Sequence, residues 1–446
     1  MIYGKEFLKL KSYPITSVDG DIECPGDKSI SQRAIIIGSF LNSDITISNF
    51  LEAEDPLSTL QALNNIGADI TMNNSNKKIA ITGNIKDFIN PVSYLDLGNS
   101  GTGLRLLLGF VGGLGLKATF IGDHSLSKRP MKRVIEPLNQ MGIFCNSNNN
   151  CLPIEIYKTN PSKEFNYELP VASAQVKSAL LLAGLTSNVE TMIIEPIQTR
   201  DHTERMLNFF GIKIEENFQD KKKVIYLAKD QTIQPSDYNV AGDFSSAAFL
   251  IVAALIARDS NITIRNVGLN PSRIGLLDVL SEMNANIMIL NKRTVCNEEI
   301  GDINIQSSQL SGIEIGGSMV PNIIDEIPIL SVAALFAEGE TVIRDANELR
   351  HKETDRLRAL IDGFKKLDVH YEELGDGIVI GGDNAVIDSP NFINSFDDHR
   401  IAMSFLVAAI RSKNGLIVER CDNISTSFPE FIDVMKTLGL RLEKIK

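Results

Sequence analysis

The chain has 446 residues, 43% hydrophobic and 22% charged, which is the composition of a soluble globular protein with two or three domains. Its net charge of −12 argues against nucleic acid as the main partner, and its longest apolar run (247–257) is far shorter than the roughly 20 residues of a membrane span. The first residues lack the apolar stretch of a secretion signal. Five cysteines without a C-x-x-C pair favour reduced thiols in the cytoplasm over disulfides or a zinc site.

Apolar helices are predicted at six places, each preceded by polar residues that favour a helix start. The starts lie about 73 residues apart, except for one step of about 80, and this regular spacing indicates a repeat architecture. Because the helices are apolar on all sides, we expect them to be buried. Their predicted starts are Asp27, Ser100, Ser173, Ser245, Asp325 and Asp398.

A second, amphipathic helix is predicted about 26 to 31 residues after each start, followed by strands that alternate around polar turns. One of these turns is expected at Asn73–Asn76, and an extended hairpin around Asn291 to Gly301 accounts for the longer step. The second helices are predicted to begin at Pro56, Pro130, Asp201, Pro271, Lys352 and Pro429. Most are expected to end near a glycine, at Gly67, Gly142, Gly211, Gly363 and Gly439.

The sixth copy stops after one strand, at Leu440–Leu442, so two strands near the N-terminus, around Leu10 and Ile22, are predicted to complete it. Both termini then belong to one domain. The predicted domains are residues 1–24 with 241–446, and residues 25–240.

Charged residues break the repeat, because the apolar positions recur from copy to copy and the charges at the helix starts do not. A surface salt bridge is the usual explanation for any one such cluster. Five clusters at equivalent positions instead favour convergence on one pocket for a small, multiply anionic ligand. The fourth copy has no cation at its start and is predicted to be core alone. The glycines at Gly98–Gly103 match neither G-x-G-x-x-G nor a Walker motif, and the histidines form no metal-binding motif.

Motifs that occur across nearly the whole chain are Pro25–Arg33, Leu97–Arg105, Ser127–Met131, Ala172–Lys177, Thr199–Glu204, Ile324–Pro328, His351–Arg356, Asp397–Met403 and Ser427–Glu430. Together they resemble the family of 5-enolpyruvylshikimate-3-phosphate synthases. The stretches ASAQVKSALLLAGL and TRDHTE most resemble its class II bacterial branch.

The resemblance implies a two-domain, inside-out α/β barrel with three βαβαββ units per domain and the active site in the interdomain cleft. It implies transfer of the enolpyruvyl group of phosphoenolpyruvate to the 5-hydroxyl of shikimate 3-phosphate, with release of phosphate. This reaction belongs to the shikimate pathway, which leads to chorismate and the aromatic amino acids. Enzymes of the family are the target of glyphosate. No metal or organic cofactor is implied, and a cytoplasmic monomer is expected.

The resemblance also implies roles for individual residues. Asp325 is the candidate base for the 5-hydroxyl, and either Glu353 or Lys28 is the candidate acid. Shikimate 3-phosphate is expected to bind Lys28, Ser29, Arg33, Ser173, Ala174, Gln175, Arg200, Asp325 and Lys352. Phosphoenolpyruvate is expected to bind Lys28, Gly101, Arg129, Gln175, Arg356 and Arg400, with Lys352 and Glu353 beside it. Thr426 stands where some relatives have a lysine, so one phosphate contact is expected to be missing or supplied from elsewhere.

Two alternatives remain at this point. The related UDP-N-acetylglucosamine enolpyruvyl transferases typically carry a cysteine in the loop before their Arg-Pro pair, whereas the corresponding run here, Gly122 to Pro130, has none. A non-catalytic repeat scaffold would be expected to carry similar charges in every copy, and this chain does not.

Overall fold

A computed structural model describes residues 7–73, 77–83, 87–389 and 391–445, and the chain divides into two compact units. The central unit comprises Gly26–Ala241 and the short segment Thr294–Glu298. The terminal unit comprises the residues up to Pro25, Gly242–Arg293 and the residues from Glu299 onward.

Apart from the short α9, apolar helices alternate with amphipathic ones in both units. Those of the central unit are α1 (Lys28–Gly38), α2 (Glu54–Asn65), α3 (Gly101–Gly113), α4 (Lys132–Met141), α5 (Ala174–Ser187) and α6 (His202–Phe209). Those of the terminal unit are α7 (Phe244–Ile256), α8 (Gly275–Glu282), α9 (Val320–Ile323), α10 (Ile327–Leu335), α11 (Arg356–Leu367), α12 (His399–Ala408) and α13 (Phe431–Thr437).

The strands range from two to ten residues in length. The first half of the chain holds β1 (Lys9–Ser12), β2 (Asp19–Glu23), β3 (Ile45–Ser48), β4 (Asp69–Asn73), β5 (Lys78–Thr82), β6 (Leu95–Asp96), β7 (Ala118–Ile121), β8 (Ile143–Asn148), β9 (Cys151–Thr159), β10 (Glu164–Glu168), β11 (Glu190–Glu195), β12 (Ile214–Gln219) and β13 (Lys222–Leu227). The remainder holds β14 (Tyr238–Asn239), β15 (Asn261–Gly268), β16 (Asn286–Val295), β17 (Glu298–Gln306), β18 (Glu314–Ile315), β19 (Glu340–Ile343), β20 (Tyr371–Glu373), β21 (Ile378–Gly381), β22 (Ile393–Asn394), β23 (Leu416–Glu419) and β24 (Leu442–Ile445).

Among the described residues these strands form six four-stranded sheets, three in each unit, which confirms the six predicted copies. The central unit has the orders β14-β3-β5-β4, β6-β7-β9-β8 and β10-β11-β13-β12. The terminal unit has β16-β17-β15-β2, β18-β19-β21-β20 and β22-β23-β1-β24. In every sheet one edge strand is parallel to its neighbour, and that neighbour is antiparallel to the next strand.

The two N-terminal strands go to different sheets. Strand β1 completes the sixth copy as predicted, where Leu10 is aligned with Val418 on one side and Lys444 on the other. The prediction for the strand around Ile22 is wrong, because β2 pairs with β15 in the fourth copy, while β14 pairs with β3 in the first. Strands β2 and β14 each lie just before a point where the chain crosses from one unit to the other. Each pairs within the unit that the chain is leaving.

The first helix of each copy forms the core, as its all-round apolar sequence predicts. Every residue of α7, α10 and α12 is buried, and α3 packs against α5 with Gly109 of α3 lying against the backbone of Ala179. Full burial of each large apolar side chain contributes roughly 1.5–3 kcal/mol, so these helices supply much of the stability of each unit.

Several predicted helix boundaries need correction. Asp27, Ser100, Ser173 and Asp398 are N-caps as predicted, but Asp243, not Ser245, caps α7, and Glu326 is the residue before α10. The helix predicted from Lys352 begins only at Arg356, since Lys352 has an extended backbone after the 3-10 segment Asn347–His351. Gly363 lies inside α11, where it allows close contact with Phe405, and does not end the helix. Most of the turn predicted at Asn73–Asn76 lies outside the described residues.

No single helix among the described residues is long and apolar enough to cross a bilayer. The pair Gly317–Ile323 and Ile327–Leu335, bent by 106°, reaches that length and composition only when taken together.

Candidate active site

The predicted site residues form two groups, one in each unit, and the group in the central unit is built on three capped helix starts. Asp27 accepts a hydrogen bond from the amide of Ile30 at 2.8 Å and Ser100 accepts one from Gly103 at 3.0 Å. Ser173 caps α5 in the same way. The N-terminal ends of α1, α3 and α5 therefore carry partial positive charge that favours anions.

Lys28, at the start of α1, is held by a carboxylate that the sequence analysis missed. Its Nζ lies 2.9 Å from Oδ2 of Asp55 on α2, and only 15% of the Lys28 side chain and 8% of the Asp55 side chain are exposed. Ser29, beside it, is half-buried. The acidic first turn of α2 was visible in the sequence, but its proximity to Lys28 was not.

Gly101, Arg129 and Gln175 lie together around the start of α3. The place where a side chain would begin at Gly101 is occupied by two guanidinium groups, those of Arg129 and Arg105. Arg105 Nη1 donates to Gln175 Oε1 at 2.9 Å, and Gln175 Nε2 donates to the hydroxyl of Thr102 at 2.8 Å. Arg105, which has no role predicted from the sequence, thus orients Gln175.

Arg33 is almost completely enclosed, with 3% of its surface exposed. Its guanidinium donates to the hydroxyl groups of Thr203 and Ser178, at 2.8 and 3.0 Å, and to the backbone oxygen of Ser29. Burial lowers the pKa of Arg33 to about 10, although the carboxylates of Asp27 and Glu204 oppose the shift. Its charge is thus directed toward internal partners.

Arg200 lies in the segment between β11 and α6 and is half-buried, as are Ser173, Ala174 and Gln175 at the start of α5. Asp201, the next residue, accepts a hydrogen bond from Arg205 Nε at 2.9 Å. These partly accessible groups lie at the start of α5 and in the segment just before α6.

In the terminal unit the predicted residues gather around Asp325, which lies between α9 and α10. Its Oδ1 is 3.1 Å from Lys352 Nζ and 3.4 Å from Arg356 Nη1. The sequence predicts a helix that begins at Lys352 and therefore includes Arg356. The two residues reach the same carboxylate instead from an extended segment and from the first turn of α11.

Arg356 is 1% exposed and contacts two further carboxylates. Its Nε donates to Asp398 Oδ2 at 2.8 Å, and its Nη2 donates to Glu353 Oε2 at 2.6 Å. Burial by itself would lower the pKa of Arg356, but the carboxylates of Asp398, Glu353 and Asp325 outweigh it and raise the pKa. Arg356 is therefore a permanent cation that orients three acidic groups.

Arg400 is tied to the same region through backbone and side chain. Its Nη1 donates to the backbone oxygen of Asp325 at 2.9 Å and lies 3.5 Å from Oε1 of the fully buried Glu326. Glu326 also accepts a hydrogen bond from the hydroxyl of Ser245 and forms an ion pair with Arg273. Arg273 forms a second ion pair with Asp243, at 3.2 Å. The fourth copy, predicted to be core alone, thus supplies polar support, and its sequence signal was the lone arginine in Pro271-Ser272-Arg273.

Thr426 is buried and donates its hydroxyl hydrogen to the backbone oxygen of Asn423 at 2.7 Å. It provides no cation. No group of three or more His, Cys, Asp or Glu residues placed to hold a metal ion occurs in the described ranges.

Comparison with known proteins supports the family resemblance over almost the whole chain. A profile of the EPSP synthase (3-phosphoshikimate 1-carboxyvinyltransferase) family matches residues 12–435. The chain is 45% identical over 434 residues to the 3-phosphoshikimate 1-carboxyvinyltransferase of Petrotoga mobilis, covering 97% of this chain and 99% of that relative.

Two solved structures also match this fold over nearly the whole chain. EPSP synthase from Acinetobacter baumannii matches with a TM-score of 0.87 at 38% identity, covering 98% of this chain and 100% of the other. The enolpyruvyl transferase NikO from Streptomyces tendae has a TM-score of 0.78 and covers 99% of this chain and 100% of its own, with 13% identity, which indicates a shared fold.

The predicted fold, that of the two-domain enolpyruvyl transferases, is therefore confirmed. The chain belongs to the EPSP synthase family, whose enzymes transfer the enolpyruvyl group of phosphoenolpyruvate to shikimate 3-phosphate. This membership confirms the prediction of a transferase of the shikimate pathway. It excludes the two alternatives, a repeat scaffold and a UDP-N-acetylglucosamine enolpyruvyl transferase.

Proposed function

We propose that the two groups of site residues act on the same pair of substrates, and that the two compact units correspond to the two domains of the family. Shikimate 3-phosphate is assigned to Lys28, Ser29, Arg33, Ser173, Ala174, Gln175, Arg200, Asp325 and Lys352. Phosphoenolpyruvate is assigned to Lys28, Gly101, Arg129, Gln175, Arg356 and Arg400. The observation that carries the proposal is Asp325, a carboxylate held 3.1 Å from Lys352 and 3.4 Å from Arg356 beside Arg400.

The chemistry requires an addition followed by an elimination. The 5-hydroxyl oxygen bonds to the central carbon of phosphoenolpyruvate while its proton passes to Asp325, and the methylene carbon gains a proton from Glu353 or Lys28. The resulting tetrahedral adduct then returns a methyl proton to the same Glu353 or Lys28 while its C–O bond to phosphate breaks, which restores the double bond. Inorganic phosphate leaves with the proton that Asp325 took from the hydroxyl. Proton transfer by a positioned side chain contributes typically about 10²–10⁴-fold to such a step.

Fixed cations make the two anionic substrates compatible in one site. Arg129 and Arg400 would face the charge that develops on the departing phosphate, and Lys28 is already oriented by Asp55 at 2.9 Å. Glu353 is oriented by Arg356 at 2.6 Å, so both candidate acids are held in place before substrate arrives.

The direct test measures phosphate release from phosphoenolpyruvate with shikimate 3-phosphate as acceptor and UDP-N-acetylglucosamine as the control acceptor. We expect release only with shikimate 3-phosphate, and mass spectrometry of the product should show the added enolpyruvyl group. Release with the nucleotide sugar alone would refute the proposal.

We also propose that the protein works as a monomer in the cytoplasm. All five cysteines lie in the described part of the chain and none forms a disulfide, in keeping with a reducing compartment. Light scattering during size-exclusion chromatography should give a mass near 49.0 kDa, and a mass of twice that value would refute the monomer.

A further inference from the structure

The central unit contains a fully buried cluster of three charged side chains that the proposed reaction does not use. Lys177 on α5 is 0% exposed, and its Nζ lies 2.9 Å from Glu195 Oε2 and 2.7 Å from Glu204 Oε1. Both carboxylates are at most 1% exposed. Burial alone would lower the pKa of Lys177, but Glu204 and Glu195 outweigh it and raise the pKa, so the ammonium stays charged.

The two carboxylates mark the ends of the segment that carries Arg200. Glu195 is the last residue of β11 and Glu204 lies in the first turn of α6. One ammonium group therefore fixes both ends of residues 195–204. Within the segment, the hydroxyl of Thr199, next to Arg200, donates to Glu195.

Lys177 also connects this segment to the start of α5. It lies one turn or less from Ser173, Ala174 and Gln175 on the same helix. The neighbouring residues repeat the connection, since the hydroxyl groups of Ser178 and Thr203 lie 2.7 Å apart. Two parts of the proposed site for shikimate 3-phosphate are thus joined by one buried cation.

Stability alone does not explain this cluster. Well-packed apolar residues commonly replace buried ion pairs without loss of stability, because desolvation of the charges offsets their attraction. What a charged cluster adds is a defined geometry, since each carboxylate must stay within contact of the ammonium.

We propose that Lys177 is a positioning residue for shikimate 3-phosphate, which sets Arg200 at a fixed distance from the first turn of α5. The inference rests on the proposed assignment of Arg200, Ser173 and Ala174 to that substrate alone. Loss of the cluster should therefore weaken use of shikimate 3-phosphate and leave use of phosphoenolpyruvate nearly unchanged.

The test compares four variants of the full-length protein. The triple variant Lys177→Met, Glu195→Gln, Glu204→Gln removes the ion pairs without leaving a buried charge unpaired. Thr199→Val keeps all three charges and removes only the hydroxyl bond to Glu195. Lys222→Met breaks an exposed ion pair to Glu168 of 2.6 Å in the same unit and serves as control, and Arg200→Ala reports on the substrate assignment itself.

Steady-state kinetics are measured with each substrate varied at saturation of the other, and circular dichroism checks the fold. For the triple variant we expect the KM for shikimate 3-phosphate to rise about 10- to 100-fold, since a displacement near 1 Å costs this much, while the KM for phosphoenolpyruvate stays within about twofold. Thr199→Val should show a smaller rise in the same direction, and Lys222→Met none.

An unchanged KM for shikimate 3-phosphate in a folded triple variant overturns the proposal, and so does an equal rise for both substrates. If the triple variant does not fold, Thr199→Val decides alone, and a value equal to that of Lys222→Met overturns the proposal. If Arg200→Ala leaves that KM unchanged, the substrate assignment has failed. If Arg200→Ala raises it and the triple variant does not, only the role of Lys177 has failed.

Discussion

Adding a methyl group at Gly101 tests the phosphoenolpyruvate half of the site. The backbone of Gly101 is not in the left-handed region, so alanine can adopt it without strain, and any effect comes from the side chain. The new Cβ would lie 2.7 Å from Arg129 Nη1 and 2.9 Å from Arg105 Nη1, whereas ordinary contact begins at 3.4 Å. Arg129 must therefore move by about 0.7 Å, and misplacement of a binding group by 1 Å can cost about 10²-fold.

We expect Gly101→Ala to raise the KM for phosphoenolpyruvate about tenfold, less than the full cost because a guanidinium on a flexible chain can partly readjust. Inhibition by glyphosate should weaken as well. The assay is phosphate release with phosphoenolpyruvate varied at saturating shikimate 3-phosphate, with and without glyphosate. Gly375→Ala is the matched control, because its methyl group would meet nothing within 4 Å.

Two results would refute this reasoning. An unchanged KM for phosphoenolpyruvate with unchanged glyphosate inhibition would remove Arg129 from that pocket. A rise confined to shikimate 3-phosphate would show instead that the methyl group acts through Arg105 and its bond to Gln175.

Three other predictions concern the terminal unit. Asp325→Asn should lower turnover about 10²–10⁴-fold while calorimetry shows shikimate 3-phosphate still bound, and an active variant would exclude Asp325 as the base. Arg273→Met removes a partner of the buried Glu326 and should cost about 3 kcal/mol in urea unfolding, with a loss below about 1 kcal/mol contradicting its support role. Burial raises the pKa of the Cys421 thiol to about 12 from its ordinary 9.0. Its contribution to stability is therefore complete below pH 9 and lost as the pH rises toward 12, so the unfolding midpoint should fall over that range, and less so in Cys421→Ala.

Local sequence patterns predicted the repeat well, because each copy contains its own cap, apolar helix and strands. Asp27, Ser100 and Ser173 could be identified as caps from the residues around them. Lys352 was placed on a helix because spacing alone does not reveal where a helix begins. Asp355 accepts a hydrogen bond from the amide of Arg358 and so caps α11 one turn later than expected.

Apart from the pairing of β1, the partners of distant residues could not be predicted. The strands β2 and β14 have similar sequence surroundings, yet each pairs according to the unit in which the chain lies at that point. The buried ions are a second example, since Lys177 meets carboxylates 18 and 27 positions away. Only packing brings such groups together, and a charge in the sequence does not say which opposite charge will neutralise it.

The place of β1 between β23 and β24 has a consequence for biosynthesis. Strand β1 emerges from the ribosome long before its two neighbours, so it stays unpaired until they have been made. By contrast, Gly26–Ala241 is continuous and can begin to fold while the rest is still being made. A product that terminates before β24 would leave β1 with an open edge and would be prone to aggregate.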